Sequence, residues 1–159
     1  MLNPTAKLII VMLLSLVGVF IIDQNIKSLF LDGYRFYSEY IDLILVFNKG
    51  VAFSMFAFLQ EWLKWIQLVL ISGVFFYVVR MKQTCYAIPV GILVGSGLSN
   101  VYDRFIHGGV VDYIYYHHWF NFAVFNFADM MIDFAVIWLL ILNFKPKLCS
   151  EEEKEKTGL

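Results

Sequence analysis

Charge is scarce in this 159-residue chain. Asp, Glu, Lys and Arg make up 16% of it, and twelve basic against thirteen acidic side chains leave a formal net charge of -1. Without a basic excess there is no electrostatic footprint for a phosphate backbone, so a nucleic-acid partner is excluded. Cysteine is almost missing as well: Cys85 and Cys149 are the only two, and neither belongs to a CxxC pair. Both fall near the predicted cytoplasmic boundary, where disulfides are uncommon, so they read as small apolar residues or idle thiols. Three histidines are present, and His117 and His118 are adjacent, which keeps them off one helical face. With no HExxH spacing, a zinc hydrolase is excluded and no metal or cofactor is expected. Ser96 sits in "VGSG", out of register with a Gly-x-Ser-Gly nucleophile motif, and reads as a small helix-packing residue.

What the chain has in abundance is apolar surface: 60% hydrophobic residues, 18% aromatics and a mean hydropathy of +0.72. That composition belongs to a membrane protein, with length for about four spans of roughly 20 residues. Three uncharged runs, Leu8 to Ile22, Trp65 to Val79 and Gln83 to Tyr102, are bounded by charged residues. A fourth run is uncharged only from Phe134 to Phe144, too short to span. Its helix must begin near Phe125, which draws Asp129 and Asp133 inside its outer turns. Residues 1 to 22 lack a small-x-small cleavage pattern and are followed at once by "DQNIK", which predicts an uncleaved anchor.

Lys7, Arg80, Lys82, Lys145, Lys147, Lys154 and Lys156 collect on one side of this arrangement, so the positive-inside rule predicts that both termini are cytoplasmic. Residues 1–148 form the membrane domain and 149–159 a charged, solvated cytoplasmic tail. The outer loops, 23–64 and 103–126, hold nearly all the remaining polar residues. Asn100, Asp103 and Arg104 recur at helical spacing near the outer end of the third span, and His107 extends that face. Asp112 follows two glycines in "GGVVDY", and Asp129 comes seventeen residues later in "FNFAD". Carboxylates at membrane depth are costly and mark function. Two of them close together share a proton, because both cannot ionise cheaply in a low dielectric. That is the chemistry of an aspartic protease. The aromatic run "YIYYHHWFNFAVF" reads as an interfacial belt.

These residues together resemble the lipoprotein signal peptidase (signal peptidase II) family of bacteria. The matching pieces are "DQNIK" at 23–27, "NKGVAFS" at 48–54, "GSGLSNVYDR" at 95–104, "GGVVDY" at 108–113 and "FNFAD" at 125–129. The resemblance implies an all-α membrane protein of four transmembrane helices, a small extracytoplasmic β-structure and a short surface helix. It implies an aspartic endopeptidase of the inner membrane, acting as a monomer without cofactor near the outer face. Its partners would be membrane lipid and prolipoproteins, cut before a diacylglyceryl-modified cysteine. Asp112 and Asp129 take the place of the catalytic pair. Asn48, Gly50, Asn100, Asp103, Arg104 and Asn126 match positions that bind substrate or support the pair, and Asp23 and Lys27 stabilise the outer end of the first helix. The β-structure corresponds to "YRFYSEYIDLILVF" and the surface helix to "VAFSMFAFLQEW". Ser54, Ser96 and Ser99 depart from the family pattern, and Asp133 lies outside it. The rival readings are a proton-conducting transporter and a structural membrane subunit. The first is opposed by acidic residues clustered at one face, and the second leaves Asp112, Asp129, Asn100 and Arg104 unexplained as a set.

Overall fold

The computed structural model describes residues 3–50 and 60–149. Four long helices, α1 (Pro4–Leu31), α2 (Gln60–Met81), α3 (Ala87–Ile106) and α4 (Phe127–Phe144), are joined by two strands, β1 (Ile41–Asn48) and β2 (Val110–Tyr116). All four helices are long and apolar enough to cross a membrane. In α3, 72% of the apolar window is buried, against 11% to 17% in the other three, which makes α3 the central helix. The rest turn most of their side chains outward, as lipid-facing helices do.

Helix α1 starts at an Asn3 cap, whose side chain accepts from the Thr5 N–H at 3.0 Å, followed by Pro4 in the first turn. It runs to Leu31, so Asp23, Gln24 and Lys27 belong to a helix and not to an outer loop. An uncharged run had marked only the apolar part of it. The bundle interior accepts these charged residues because they find partners there. Close approach of α1 to α3 depends on Gly95, where a Cβ would stand 2.5 Å from the Leu16 carbonyl oxygen. Leu8, Met12, Val78, Ala87, Val90 and Val94 then pack as the core at one end of the bundle.

At that same end Cys85 and Cys149 form a disulfide, with Cα atoms 5.4 Å apart, packed with Leu142. The reading of two idle thiols is therefore corrected. Sixty-four residues separate the pair in sequence, and only the return of α4 beside the start of α3 brings them within bridging distance.

At the opposite end β1 and β2 pair antiparallel, from Ile41↔Tyr116 to Asn48↔Val110, with a register shift between Leu43 and Val46. The first strand was expected; the second was not, although the β-branched and aromatic content of "VVDYIYY" favours it. Gly108, at φ +70°, makes the tight turn that sends the chain from α3 into β2. Of the surface helix expected over 51–62, residues 51–59 lie outside the described residues and 60–62 belong to α2. Ser54 and tail residues 150–159 also lie outside them.

Candidate active site

The sheet end of the bundle holds a cavity of about 610 Å³. Asn48 from β1, Asn100 and Arg104 from α3, Asp112 from β2 and Asp129 from α4 line it. Each carboxylate is placed by its element. Asp112 stands on β2, 1% exposed, between the buried Val111 and Tyr113. Its Oδ2 accepts from Asn48 Nδ2 at 2.9 Å and its Oδ1 from Asn126 Nδ2 at 2.7 Å. Asp129 lies in the first turn of α4, half-buried. Its backbone N–H donates to Asn126 Oδ1 at 2.9 Å, and its Oδ2 accepts from the Asn126 N–H at 3.2 Å. This reciprocal capping box is what "NFAD" encodes, with Asp in the place where Glu or Gln is usual. Asp129 Oδ1 also accepts from Asn100 Nδ2 at 2.9 Å.

Asn126 thus touches both carboxylates, and it is completely buried. Burial, and after it the charge of Asp129, pushes the Asp112 carboxyl up to about 7, against the opposing pull of the Asn48 and Asn126 amides. Among the described residues no Lys or Arg forms an ion pair with Asp112 or Asp129.

A second buried cluster adjoins the first. Lys27 Nζ meets Asp23 Oδ2 at 2.6 Å, Asp103 Oδ2 at 2.7 Å and Asn100 Oδ1 at 2.9 Å, so its three protons have three acceptors. Asp23 Oδ1 accepts from the Ala128 N–H at 2.9 Å, which holds the first turn of α4 against α1. Asp103 Oδ2 also accepts from the Val111 N–H at 3.1 Å, which holds the strand next to Asp112. Arg104 holds carbonyls: its guanidinium donates to those of Gly50 and Asn100. Gly50 N–H in turn donates to Asn48 Oδ1 at 3.0 Å. Every sequence-predicted site residue therefore lies in one connected network.

The three histidines lie apart from this network. His107 ends α3 with its ring against Phe47, and His117 and His118 lie by Asp42 and Tyr40 near the outer end of the sheet, so none of the three lines the cavity. Asp133 does line it, one turn below Asp129, exposed and with no donor among the described residues. Three participants were missed. Gln24 Nε2 donates to Asp103 Oδ1 and to Ser99 Oγ, each at 2.8 Å. Ser99, noted only as a departure, donates to Asp23 Oδ2 at 2.7 Å. The Tyr113 hydroxyl accepts from the Phe127 N–H at 3.0 Å while its ring stacks on Phe30. The position of Gln24 beside Asp23 in "DQNIK" was the available signal for one of them; the other two had none.

Residues 15–145 match the family model described as Signal peptidase (SPase) II. A lipoprotein signal peptidase of Sulfurimonas denitrificans is 66% identical over 147 residues, covering 92% of this chain and 96% of that one. One from Sulfurovum sp. is 57% identical, covering 86% and 96%, and one from Helicobacter pylori strain P12 is 50% identical, covering 91% and 93%. Among solved structures, a bacterial membrane enzyme determined at 2.3 Å resolution shares the fold, with a TM-score of 0.75 at 23% identity over 86% of this chain and 88% of that one. With a family match over most of its length and relatives of this identity, the chain belongs to the signal peptidase II family, an aspartic peptidase family.

Proposed function

We propose that Asp112 and Asp129 are the catalytic pair with which this chain removes signal peptides from prolipoproteins, cutting immediately before the diacylglyceryl-modified cysteine. The observation that carries the reading is the pair itself. Two carboxylates are joined through one buried asparagine, served among the described residues by amide donors, and open to a cavity. With the Asp112 carboxyl near 7, the pair retains one proton around neutral pH. The ionised member takes a proton from water as its oxygen attacks the scissile carbonyl carbon, and the protonated member gives its proton to the carbonyl oxygen. The tetrahedral intermediate collapses when the C–N bond breaks: the proton taken from water passes to the leaving amine, and the carbonyl re-forms as its hydroxyl returns its proton to the carboxylate that gave it. Asn48, Asn100 and Asn126 hold the carboxylates in place. Arg104, by holding the Gly50 carbonyl, fixes the end of β1 over the cavity. Asp23, Lys27 and Asp103 keep α1, α3, β2 and the start of α4 in register beneath it.

The peptidase domain runs through residue 149, one beyond the expected boundary, because Cys149 is bridged to Cys85, and the charged tail follows it. The bundle end that carries Lys7, Arg80, Lys82, Lys145 and Lys147 faces the cytoplasm, and the sheet end faces outward at the inner-membrane surface. All the groups required come from one chain, so a monomer in lipid suffices. The test is cleavage of a diacylglyceryl-modified prolipoprotein by the purified chain in detergent, with chelator present. Wild type cuts before the modified cysteine, whereas folded Asp112→Asn and Asp129→Asn lose at least about a thousandfold in rate. Cutting by both variants at the wild-type rate refutes the assignment.

A further inference from the structure

The cavity has a wall that the proposed chemistry does not use. Gln67 on α2 lines it together with Asp112 and Asp129. Its Oε1 is closed off from solvent and has no hydrogen-bond donor among the described residues. An unpaired buried amide oxygen is destabilising, so a folded chain that keeps one needs a reason. Two contacts set the depth of Gln67. Trp65 of α2 meets Phe105 of α3 edge-on, with ring centroids 5.4 Å apart. Farther along, a Cβ on Gly97 would lie 2.7 Å from Ile71 Cδ1. Between Trp65 and Ile71, Gln67 therefore stands level with the stretch of α3 between Phe105 and Gly97, which carries Asn100 and Arg104. Asn100 is the residue that donates to Asp129. Gln67 thus lies at the depth of the carboxylate pair, with α2 on one side of the cavity and α4 on the other.

Among the described residues, Asn100 Nδ2 is engaged by Asp129, Asn126 Nδ2 by Asp112, and the two terminal nitrogens of Arg104 by carbonyls, while Arg104 Nε is itself buried without an acceptor. No described donor reaches Gln67 Oε1, and a ligand in the cavity can bring one. Side chains differ from one prolipoprotein to the next, whereas a backbone N–H is present in all of them. Resting on the peptidase reading above, we propose that Gln67 is a substrate-binding residue whose Oε1 accepts a hydrogen bond from a backbone N–H of the signal peptide beside the scissile bond.

The test pairs an enzyme variant with edited substrates. Purified full-length wild type and Gln67→Met, close in volume but without the amide, are given a diacylglyceryl-modified prolipoprotein peptide. They are also given copies N-methylated at one amide at a time on either side of the cut, the scissile amide left intact. Gln67→Met is expected to raise KM about fivefold with a much smaller change in kcat, the mark of lost ground-state binding. One N-methyl position should cost wild type a similar factor and cost the variant nothing more, since both changes delete the same bond. An unchanged KM in Gln67→Met, or methyl penalties that carry over in full at every position, overturns the proposal, because Gln67 is then satisfied by water or not at all. If Gln67→Met does not fold, Gln67→Asn, whose amide is drawn back by one methylene, is subjected to the same scan and judged in the same way. Failure of wild type to cut the unmethylated peptide refutes the peptidase reading and this inference with it. Additive penalties with cutting intact refute this inference alone.

Discussion

Two sets of carboxylates sit side by side at the sheet end of this bundle and are held in opposite ways. Asp23 and Asp103, 0% and 1% exposed, share the ammonium of Lys27, and each also accepts a backbone N–H from the element it positions. Asp112 is just as buried, yet it and Asp129 receive amide donors and no ion pair among the described residues. A buried carboxylate beside a cation has its charge compensated and serves as a fixed acceptor. One served by neutral amides near another carboxylate holds a proton close to neutral pH and is ready to exchange it. Residue type is the same in both sets; the nearest cation decides which carboxylates are fixed as scaffold and which, on the function proposed above, act as reagent.

The comparison breaks at once if the roles are exchangeable. Losing either member of the pair, in Asp112→Asn or Asp129→Asn, is the largest expected effect and falls on cleavage. Lys27→Met should be the largest effect on stability. It strands two buried carboxylates and is expected to cost about 3–5 kcal/mol, read as a lowered unfolding midpoint in detergent. A variant that melts like wild type but is inactive would move Lys27 from scaffold to reagent.

Asn126→Ala probes the link between the sets. It removes the α4 cap, worth about 1 kcal/mol, and also a donor to Asp112, so kcat should fall by roughly 10- to 100-fold, more than the stability loss accounts for. Equal losses in both readouts would make Asn126 a cap and nothing else.

The smallest effect is on pH dependence. The Asp112 carboxyl is raised from 3.8 to about 7, so between those values the folded chain keeps a proton that the unfolded chain has released. Stability therefore falls as pH rises through that window, and the slope should be shallower in Asp112→Asn. Activity should decline above about pH 7 as the shared proton is lost. A flat activity profile from pH 6 to 9 would remove the shared proton from the mechanism.

Much of this was legible along the chain because spans and motifs are local. Uncharged runs located three helices, the fourth followed from extending a shorter run back to about Phe125, and "NFAD" carried both the α4 cap and Asp129. Asp112 could be chosen from its setting after two glycines. The β2 strand was not legible, because its pairing with β1 joins Asn48 to Val110 across sixty residues and two helices. The helical placement of Asp23 and Lys27 was missed because a charged residue ends an apolar run on paper, while in the bundle it continues the helix when partners await it. The disulfide between Cys85 and Cys149 was not legible either, because sixty-four residues separate the pair and only helix packing brings them together.

By itself, then, the sequence determined the membrane class, the helix count and the family, and it singled out the carboxylates proposed above as the pair, since composition, periodicity and motif order are properties of the chain alone. Only the tertiary structure decided which carboxylates lie beside Lys27 and which do not, that Ser99, Gln24 and Tyr113 belong to the supporting network, and that Gln67 faces the cavity without a donor. Those are distances between elements far apart in sequence, set by helix packing and strand register, and electrostatic character follows from such distances and from burial more than from residue type.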